Sequence, residues 1–468
     1  MLPAEPDHGR FGWLTANAAG ATTSMTYSDD LPVSFDDPLP EAVDVVVIGG
    51  GVIGVSTAWF LRRKGLSVLV CDKGRVAGEQ SSRNWGWIRQ QGRDAAELPI
   101  AMESINAWEA LAPEIRDATG VDIGFTRRGV LYAADSDAQM ADYENWLSIA
   151  DQHQLDTRLL SGNEVAAMVP GQWRGGLLTP SDGRAEPWKA VPSLAKALQR
   201  RGALIKERCA VRTLDVEGGR VAGVVTEAGP VRAQSVVCAG GAWSTLFLAN
   251  LGINLPQLTV RATVARTAAA PDVYDGNAAL AGVAIRRRQD GCYTVAASGS
   301  NEHFVGADTF RYFFRYLPAL AASTRIVKLR AHGDLLDRLL PTRSWRDDER
   351  SPFEKHRVLN PAPSASALRK MREGLRKRVP ALAGLAFEEA WAGMIDVTPD
   401  VVPVMDEVPR YPGLFLATGF SGHGFGIGPG AGRVMADLVS GGPQPHDLTR
   451  FRFERFYDGS RLEVGPGL

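Results

Sequence analysis

The first strong pattern in the chain is Asp44-Val45-Val46-Val47-Ile48, a β-branched run without polar alternation. Such a run reads as a strand buried on both faces of a parallel sheet. Gly49-Gly50-Gly51 interrupts it, and Val52 to Lys64 reads as a helix closed by Gly65. Ser67 to Cys71 is a second buried strand with Asp72 at its end, and residues 78–94 read as a polar, glycine-containing loop. Ala101, Ile105, Trp108 and Leu111 then share one helical face, with Pro113 near the helix end. Leu194 to Arg201 is a helix closed by Gly202, and Ser235 to Ala239 is a buried strand running into Gly240-Gly241. At residue 258 the pattern changes. Leu258, Val260, Ala262 and Val264 alternate with Thr259, Arg261, Thr263 and Ala265, which marks a half-buried antiparallel strand, and Cys292 to Ala296 is available to pair with it. Residues 309–345 are rich in aromatic and basic residues and read as helical. Leu368, Met371, Leu375 and Val379 lie on one face of a helix that stops at Pro380. Leu414 to Ala417 is a buried strand, Thr418 to Gly432 a glycine-rich turn, and Ala431 to Val439 a last helix closed at Gly441.

Parallel-sheet material thus occurs early, in the middle and at the end, with antiparallel material between. The pattern predicts an α/β plus α+β chain of two domains built from discontinuous segments. One domain takes residues 44–120, 181–255 and 386–445; the other takes 121–180 and 256–385, with an N-terminal extension over 1–43 and a tail over 446–468. No internal repeat is visible.

Composition narrows the classes. The 468 residues are 45% apolar and 22% charged, with a net charge of -1, so no charge excess points to nucleic acid. The four cysteines, Cys71, Cys209, Cys238 and Cys292, form no CxxC pair, and the seven histidines add no zinc spacing; no metal site is expected. The first 43 residues lack the basic start and apolar core of a secretory signal, and no apolar run reaches the ~20 residues that span a membrane. The expected location is cytoplasmic.

The chemistry starts at Gly49-x-Gly51-x-x-Gly54, between the first strand and the first helix. Gly49 permits the tight turn, Gly51 lets the backbone approach a pyrophosphate, and Gly54 lets helix and strand pack closely. Val52 and Ile53 open the helix, whose free N–H groups and positive end suit phosphate. Asp72, 18 residues past Gly54 and followed by Lys73, can accept bonds from ribose hydroxyls. Strand, helix and acid together make a Rossmann-type dinucleotide unit. A glycine-rich turn in an unrelated α/β protein is the competing reading, and the motif alone does not separate FAD from NAD.

Three further segments carry a resemblance. Gly78-Glu79-Gln80-Ser81-Ser82-Arg83-Asn84-Trp85-Gly86 resembles the second cofactor motif of the D-amino-acid oxidase superfamily of FAD-dependent oxidoreductases. That group includes glycine oxidase, sarcosine oxidase, D-amino-acid dehydrogenase and γ-glutamylputrescine oxidase. Trp391 to Asp400 resembles its segment beside the flavin ring, and Thr418 to Phe425 resembles its C-terminal flavin loop; the likeness covers roughly residues 40–445. It implies FAD, with Ser81, Ser82, Arg83, Asn84, Trp85, Gly86, Val211, Gly240, Trp243, Gly393, Gly422, His423, Gly424, Phe425 and Gly426 in the cofactor site. It also implies oxidation of the C–N bond of an amino acid or amine by hydride transfer to flavin N5, with oxygen or a quinone or other carrier as electron acceptor. Arg89, Gln91, Asp396 and His423 are the candidate catalytic residues, Arg89 because an arginine in this stretch of carboxylate-recognising relatives reaches toward the flavin face.

Departures from the family matter. Gly426 stands where sarcosine-oxidase-like members carry a lysine, and Ile395-Asp396 where glycine oxidase carries an arginine. Either Arg89 or one of Arg286, Arg287 and Arg288 replaces these carboxylate clamps, or the substrate is an amine; solvated strand edge is the better reading for at least two of the three. No cysteine follows Cys292, so the cysteinyl flavin linkage of the sarcosine branch is excluded and FAD is expected to be non-covalent. The basic helix around Arg369 to Arg378 reads as a solvated face, and the run Phe310, Tyr312, Phe313, Phe314 and Tyr316 as core packing ahead of a lid or subunit contact. Alternatives are a subunit of a hetero-oligomeric amino-acid or opine-type dehydrogenase, and a non-catalytic assembly factor.

Overall fold

A computed structural model gives the fold and describes residues 32–323, 327–330 and 343–465. Its first sheet is built on parallel strands, Leu204–Lys206, Val68–Cys71, Ala42–Ile48, Gly229–Cys238 and Leu414–Thr418 in spatial order. Val45 and Val47 point into one core and Val46 into another, so both faces are buried, as a run without alternation requires. One face carries the helices Val52–Arg63, Leu98–Thr119, Pro187–Arg200 and Gly424–Val439. Antiparallel strands Val211–Glu217 and Arg220–Thr226 extend the sheet beyond Gly229–Cys238.

The second sheet has ten strands among the described residues and is mostly antiparallel. Leu258–Thr267 pairs with Tyr293–Ala297 on one side and with Phe387–Val397 on the other. Sequence reading groups residues 386–445 with the cofactor segments; Phe387–Val397 hydrogen-bonds into this second sheet, from Leu258↔Val397 to Thr267↔Phe387, and so reaches from one sheet to the other. The helix Ala365–Arg378 covers one face through Ala367, Met371 and Leu375, while Tyr143, Trp146 and Ala150 of Asp137–Gln152 cover another part.

Several expectations are corrected. Residues 78–94 are not all loop: Gln80–Arg83 is a helical turn and Trp87–Ile88 pairs with Gly183–Arg184. Pro113 lies inside Leu98–Thr119, six residues before its end, on the exposed face where the freed carbonyl can meet water. The last helix starts at Gly424 rather than near Ala431, and Pro429 lies inside it. Its glycines mark close packing rather than a turn. A Cβ at Gly430 would fall 2.4 Å from the Ile100 carbonyl oxygen, and one at Gly428 2.7 Å from Val52 Cγ2. Tertiary contact overrides the poor helix propensity of glycine here. Within 309–345, Ala307–Arg311 and Leu317–Ser323 are helical but Val327–Arg330 is a strand; 324–326 and 331–342 lie outside the described residues. Core packing holds for Tyr312 and Tyr316 only. Phe310 and Phe313 are exposed, and Phe314 is 81% exposed, so the run has a wet apolar face.

Residues 32–41 pack beside Leu204–Lys206: Phe35 is buried, and Asp37 N–H donates to the Ile205 carbonyl at 3.2 Å. The tail folds back through an Arg455–Asp400 pair at 2.8 Å and through buried Phe451 and Phe456. Among the described residues no helix is long and apolar enough to cross a membrane, and no cluster of three or more His, Cys, Asp or Glu is placed to hold a metal ion.

Candidate functional site

A cavity of about 670 Å³ is lined by residues from both sheets. One end is made by the glycine turn. Gly49 has φ +107°, and a Cβ there would stand 2.4 Å from the Ala239 carbonyl oxygen; at Gly54 it would stand 2.0 Å from the Gly49 carbonyl oxygen. Gly51 is the helix N-cap, has no side chain to cap with, and the first turn holds no acid. The helix end is thus left to an anion. Ser81 Oγ accepts the Val52 N–H at 2.9 Å. Asp72 accepts Gly50 N–H at 2.8 Å and Gly74 N–H at 2.7 Å; burial raises its carboxyl, against the pull of Lys73.

The second motif closes round this turn. Lys73 Nζ donates to Glu79 at 2.7 Å and to the carbonyls of His356 and Arg357, and lies 4.2 Å from the centre of the Trp243 ring. Trp243 Nε1 donates to the same Glu79 at 3.1 Å. Sequence reading did not single out Glu79 as a site residue; its signal is its place in the motif Gly78 to Gly86, opposite a lysine. Arg83 is buried and donates to the carbonyls of Gly78 and Ala392 and to Asn360, tying the motif to Phe387–Val397. Asn84 donates to the Ser81 carbonyl and accepts Gly86 N–H.

Of the cofactor residues read from sequence, Gly49, Gly51, Val52, Ile53, Asp72, Lys73, Ser81, Arg83, Asn84 and Trp85 line the cavity, as do Val211, Gly240, Trp243, Gly393, Gly422, His423, Gly424 and Phe425. Gly54, Ser82, Gly86 and Gly426 stand behind the lining. Gly54 and Gly86 do so as close-packed backbone, and Ser82 with its hydroxyl on the Glu79 carbonyl. A second helix end, at Gly424, also opens on the cavity without an acid in its first turn. Two helix N-termini, a turn that excludes Cβ atoms and a half-buried acid beside the turn fit an adenine dinucleotide such as FAD.

The other end is made by side chains. Trp85 and Trp87 meet edge-on at 5.4 Å, Trp87 and Tyr132 lie 6.5 Å apart, and Tyr132 and Tyr143 lie 6.0 Å apart. Arg89 Nη1 donates to the Gln91 carbonyl at 2.8 Å and to the Tyr132 hydroxyl. Gln91 itself is buried off the cavity, its side chain accepting from Thr179 at 2.8 Å. Asp182 accepts the N–H groups of Gln90 and Gln91, and burial pushes its carboxyl up to about 6. His423 Nδ1 donates to Glu97 at 3.0 Å; Glu97 is wholly buried and absent from the sequence list. Burial and Arg93 lower the His423 pKa, and Glu97 opposes them. Asp396 lines the cavity, but its Oδ2 accepts Gly419 N–H at 2.8 Å and Gln257 Nε2 at 2.9 Å, and burial raises its carboxyl.

None of Arg286, Arg287 and Arg288 is a clamp, and only Arg287 is partly exposed at the strand end. Arg286 is 1% exposed and makes two bonds of 2.9 Å to Glu186. Arg288 is buried against Asp290, and Arg287 donates to the Ala270 carbonyl. None lines the cavity. Sequence alone could not show that Glu186 and Asp290 supply carboxylates to Arg286 and Arg288.

The chain belongs to the DAO family of FAD-dependent oxidoreductases, whose model matches residues 44–438. Among solved structures it is similar to the L-amino acid deaminase from Proteus myxofaciens in complex with anthranilate, with a TM-score of 0.87 and 29% identity over 92% of this chain and 98% of that one. Glycine oxidase of Geobacillus kaustophilus is 25% identical over 88% of this chain and 97% of its own length. Mitochondrial sarcosine dehydrogenase of Mus musculus is 24% identical over 91% of this chain, which spans only 43% of that protein.

Proposed function

We propose that the chain oxidises the C–N bond of a carboxylate-bearing amino acid, with FAD held non-covalently in the cavity. The observation that carries this reading is a dinucleotide cradle and an arginine- and aromatic-lined compartment sharing one cavity. Bound FAD would supply the acceptor for a hydride from the substrate α-carbon, and water would hydrolyse the resulting substrate imine to a carbonyl product and ammonia or amine. The chain's own residues do the rest. The helix end at Gly424 offers its dipole to negative charge developing on the reduced cofactor. Trp85, Trp87, Tyr132 and Tyr143 give an apolar side chain a surface and shed water. His423 stands at the cavity wall, oriented by Glu97. Asp396, committed to Gly419 and Gln257, positions the loop that leads to His423 and does not itself reach substrate. The names of the glycine oxidase and L-amino acid deaminase relatives support an amino acid over a simple amine. A cytoplasmic location and oxygen or a quinone or other carrier as electron acceptor complete the proposal.

The test is anaerobic bleaching of the visible flavin band by a panel of D- and L-amino acids. Bleaching by one set is expected, and readmitted air separates oxidase from carrier-linked dehydrogenase by whether colour returns. A flavin-loaded protein that no amino acid bleaches overturns the reading. The exposed Phe310, Phe313 and Phe314 favour one second reading, a subunit that works only with its partner; bleaching would then require co-expressed protein.

A further inference from the structure

Arg93 lines the cavity with a guanidinium that no acceptor among the described residues holds. It is 5% exposed. Its Nη1 is shut off from solvent without a hydrogen-bond partner, and among the described residues no carboxylate forms an ion pair with it. Its main chain is pinned. Arg93 N–H donates to the Gln90 carbonyl at 3.1 Å, and Trp146 Nε1 donates to the Arg93 carbonyl at 3.0 Å. The carboxylates that attract it, Glu97 and Asp182, are already engaged, the first by His423 and the second by Gln90 and Gln91. A guanidinium does not shed its proton in a protein; Glu97 and Asp182 offset the charge of Arg93 from a distance, but neither gives its N–H groups an acceptor. Arg89 is the opposite case. Its guanidinium is held by the Gln91 carbonyl and the Tyr132 hydroxyl and lies over the Tyr132 ring.

Resting on the amino-acid reading above, we propose that Arg93 grips the substrate carboxylate and that Arg89 is a positioning residue holding Tyr132 and the Gln91 turn. Nη1 is walled in by protein, so it is the Nε–Nη2 edge of the Arg93 fork that can take both carboxylate oxygens at once. Next to the side-chain wall of Trp87 and Tyr132, this would place the carboxylate at the Glu97–His423 side of the cavity.

The experiment compares each amino acid that bleaches the flavin with the amine that lacks only its carboxylate, such as phenylalanine against 2-phenylethylamine. Wild-type, Arg93→Ala and Arg93→Lys holoenzymes are followed by anaerobic rapid mixing, which separates apparent Kd from limiting rate. Wild type is expected to prefer the amino acid. Arg93→Ala should raise the amino-acid Kd by about 100-fold relative to that of the amine, the size of a lost hydrogen-bonded charge contact. Arg93→Lys, which keeps the charge and loses the fork, should fall between, and it carries the test alone if the alanine variant fails to hold flavin. The inference is overturned if the variants keep the wild-type preference, or if wild type takes amine and amino acid equally. Wild-type flavin bleached by no amino acid would overturn the amino-acid reading itself, and the assignment of Arg93 with it.

Discussion

The two ends of the cavity are built on opposite plans. The proposed cofactor end rests on backbone: a turn at Gly49, a helix end at Gly51 whose first N–H goes to Ser81, a close approach at Gly54 and a second helix end at Gly424. The proposed substrate end is made of side chains brought from stretches far apart in the chain, with Trp87, Arg93, Tyr132, Tyr143 and His423 among them. Backbone recognition tolerates almost no added atom, because neither partner can rotate away. Side-chain recognition tolerates substitution but depends on what stands behind each group. The first end therefore defines a cofactor class shared across a family, and the second can differ between members with the same fold.

The largest expected effect breaks the cofactor end. In Gly54→Ala the new Cβ meets the Gly49 carbonyl oxygen at 2.0 Å, backbone against backbone, with no flexible tip to yield. We expect protein with essentially no bound flavin, read as flavin released per chain on denaturation. Next comes the support under the substrate end. Burial pushes Glu186 up, but Arg286 outweighs it and leaves the carboxyl at about 2. Arg286 packs under Gly86, whose Cβ would lie 2.8 Å from Arg286 Nε. Glu186→Gln leaves that guanidinium buried and unpaired and should cost about 3–5 kcal/mol in urea unfolding. A cost under ~1 kcal/mol would show that water reaches Arg286 and that this end is looser than its geometry.

How far each end was legible in sequence follows from the same contrast. Gly49, Gly51 and Gly54 have local spacing because one turn needs all three, and Asp72 follows at the end of the next strand. That end, and the parallel strands feeding it, could be read without contacts. The helix at Gly424 could not be bounded, since glycine is a poor helix former and only Ile100, Ser56 and Val52 across the gap explain it. The substrate end resisted for another reason. Arg89 and Arg93 are four residues apart with the same chemistry, and what separates them is Tyr132 and the Gln91 carbonyl, visible only in three dimensions. Glu97 reads as an ordinary polar residue before a helix until His423, 326 positions away, is folded against it.

A third measurement asks whether the cofactor end is as rigid in pH as in shape. Glu207 accepts Ser34 N–H at 2.8 Å and Val76 N–H at 2.9 Å behind the Asp72 loop. Burial, reinforced by Asp72, pushes its carboxyl from 4.5 to about 7. The folded state thus holds the proton more tightly than the unfolded one. The stabilising contribution is full below pH 4.5 and is lost as pH rises through about 7. Its size is about 3 kcal/mol across that window. Glu207→Gln should flatten the fall in thermal midpoint between those pH values. The slope is the readout, because the amide faces one backbone N–H with its own NH2 and shifts all points together.

The smallest effect sharpens the substrate end. Glu97 holds His423 Nδ1–H, so the ring presents its other nitrogen away from the carboxylate. Burial and the nearby Arg93 lower the His423 pKa; Glu97 pulls it back up. Replacing Glu97 with glutamine keeps an acceptor for Nδ1–H and removes the charge. The imidazole should then lose its proton at lower pH, and the acid limb of the anaerobic bleaching rate should move down by about one unit. Flavin content should stay close to the wild-type level, since glutamine still accepts Nδ1–H and keeps His423 in place as the N-cap of Gly424–Val439. If the acid limb stays in place while flavin content falls, Glu97 serves the cofactor helix through His423, and the two ends are less separate than their construction implies.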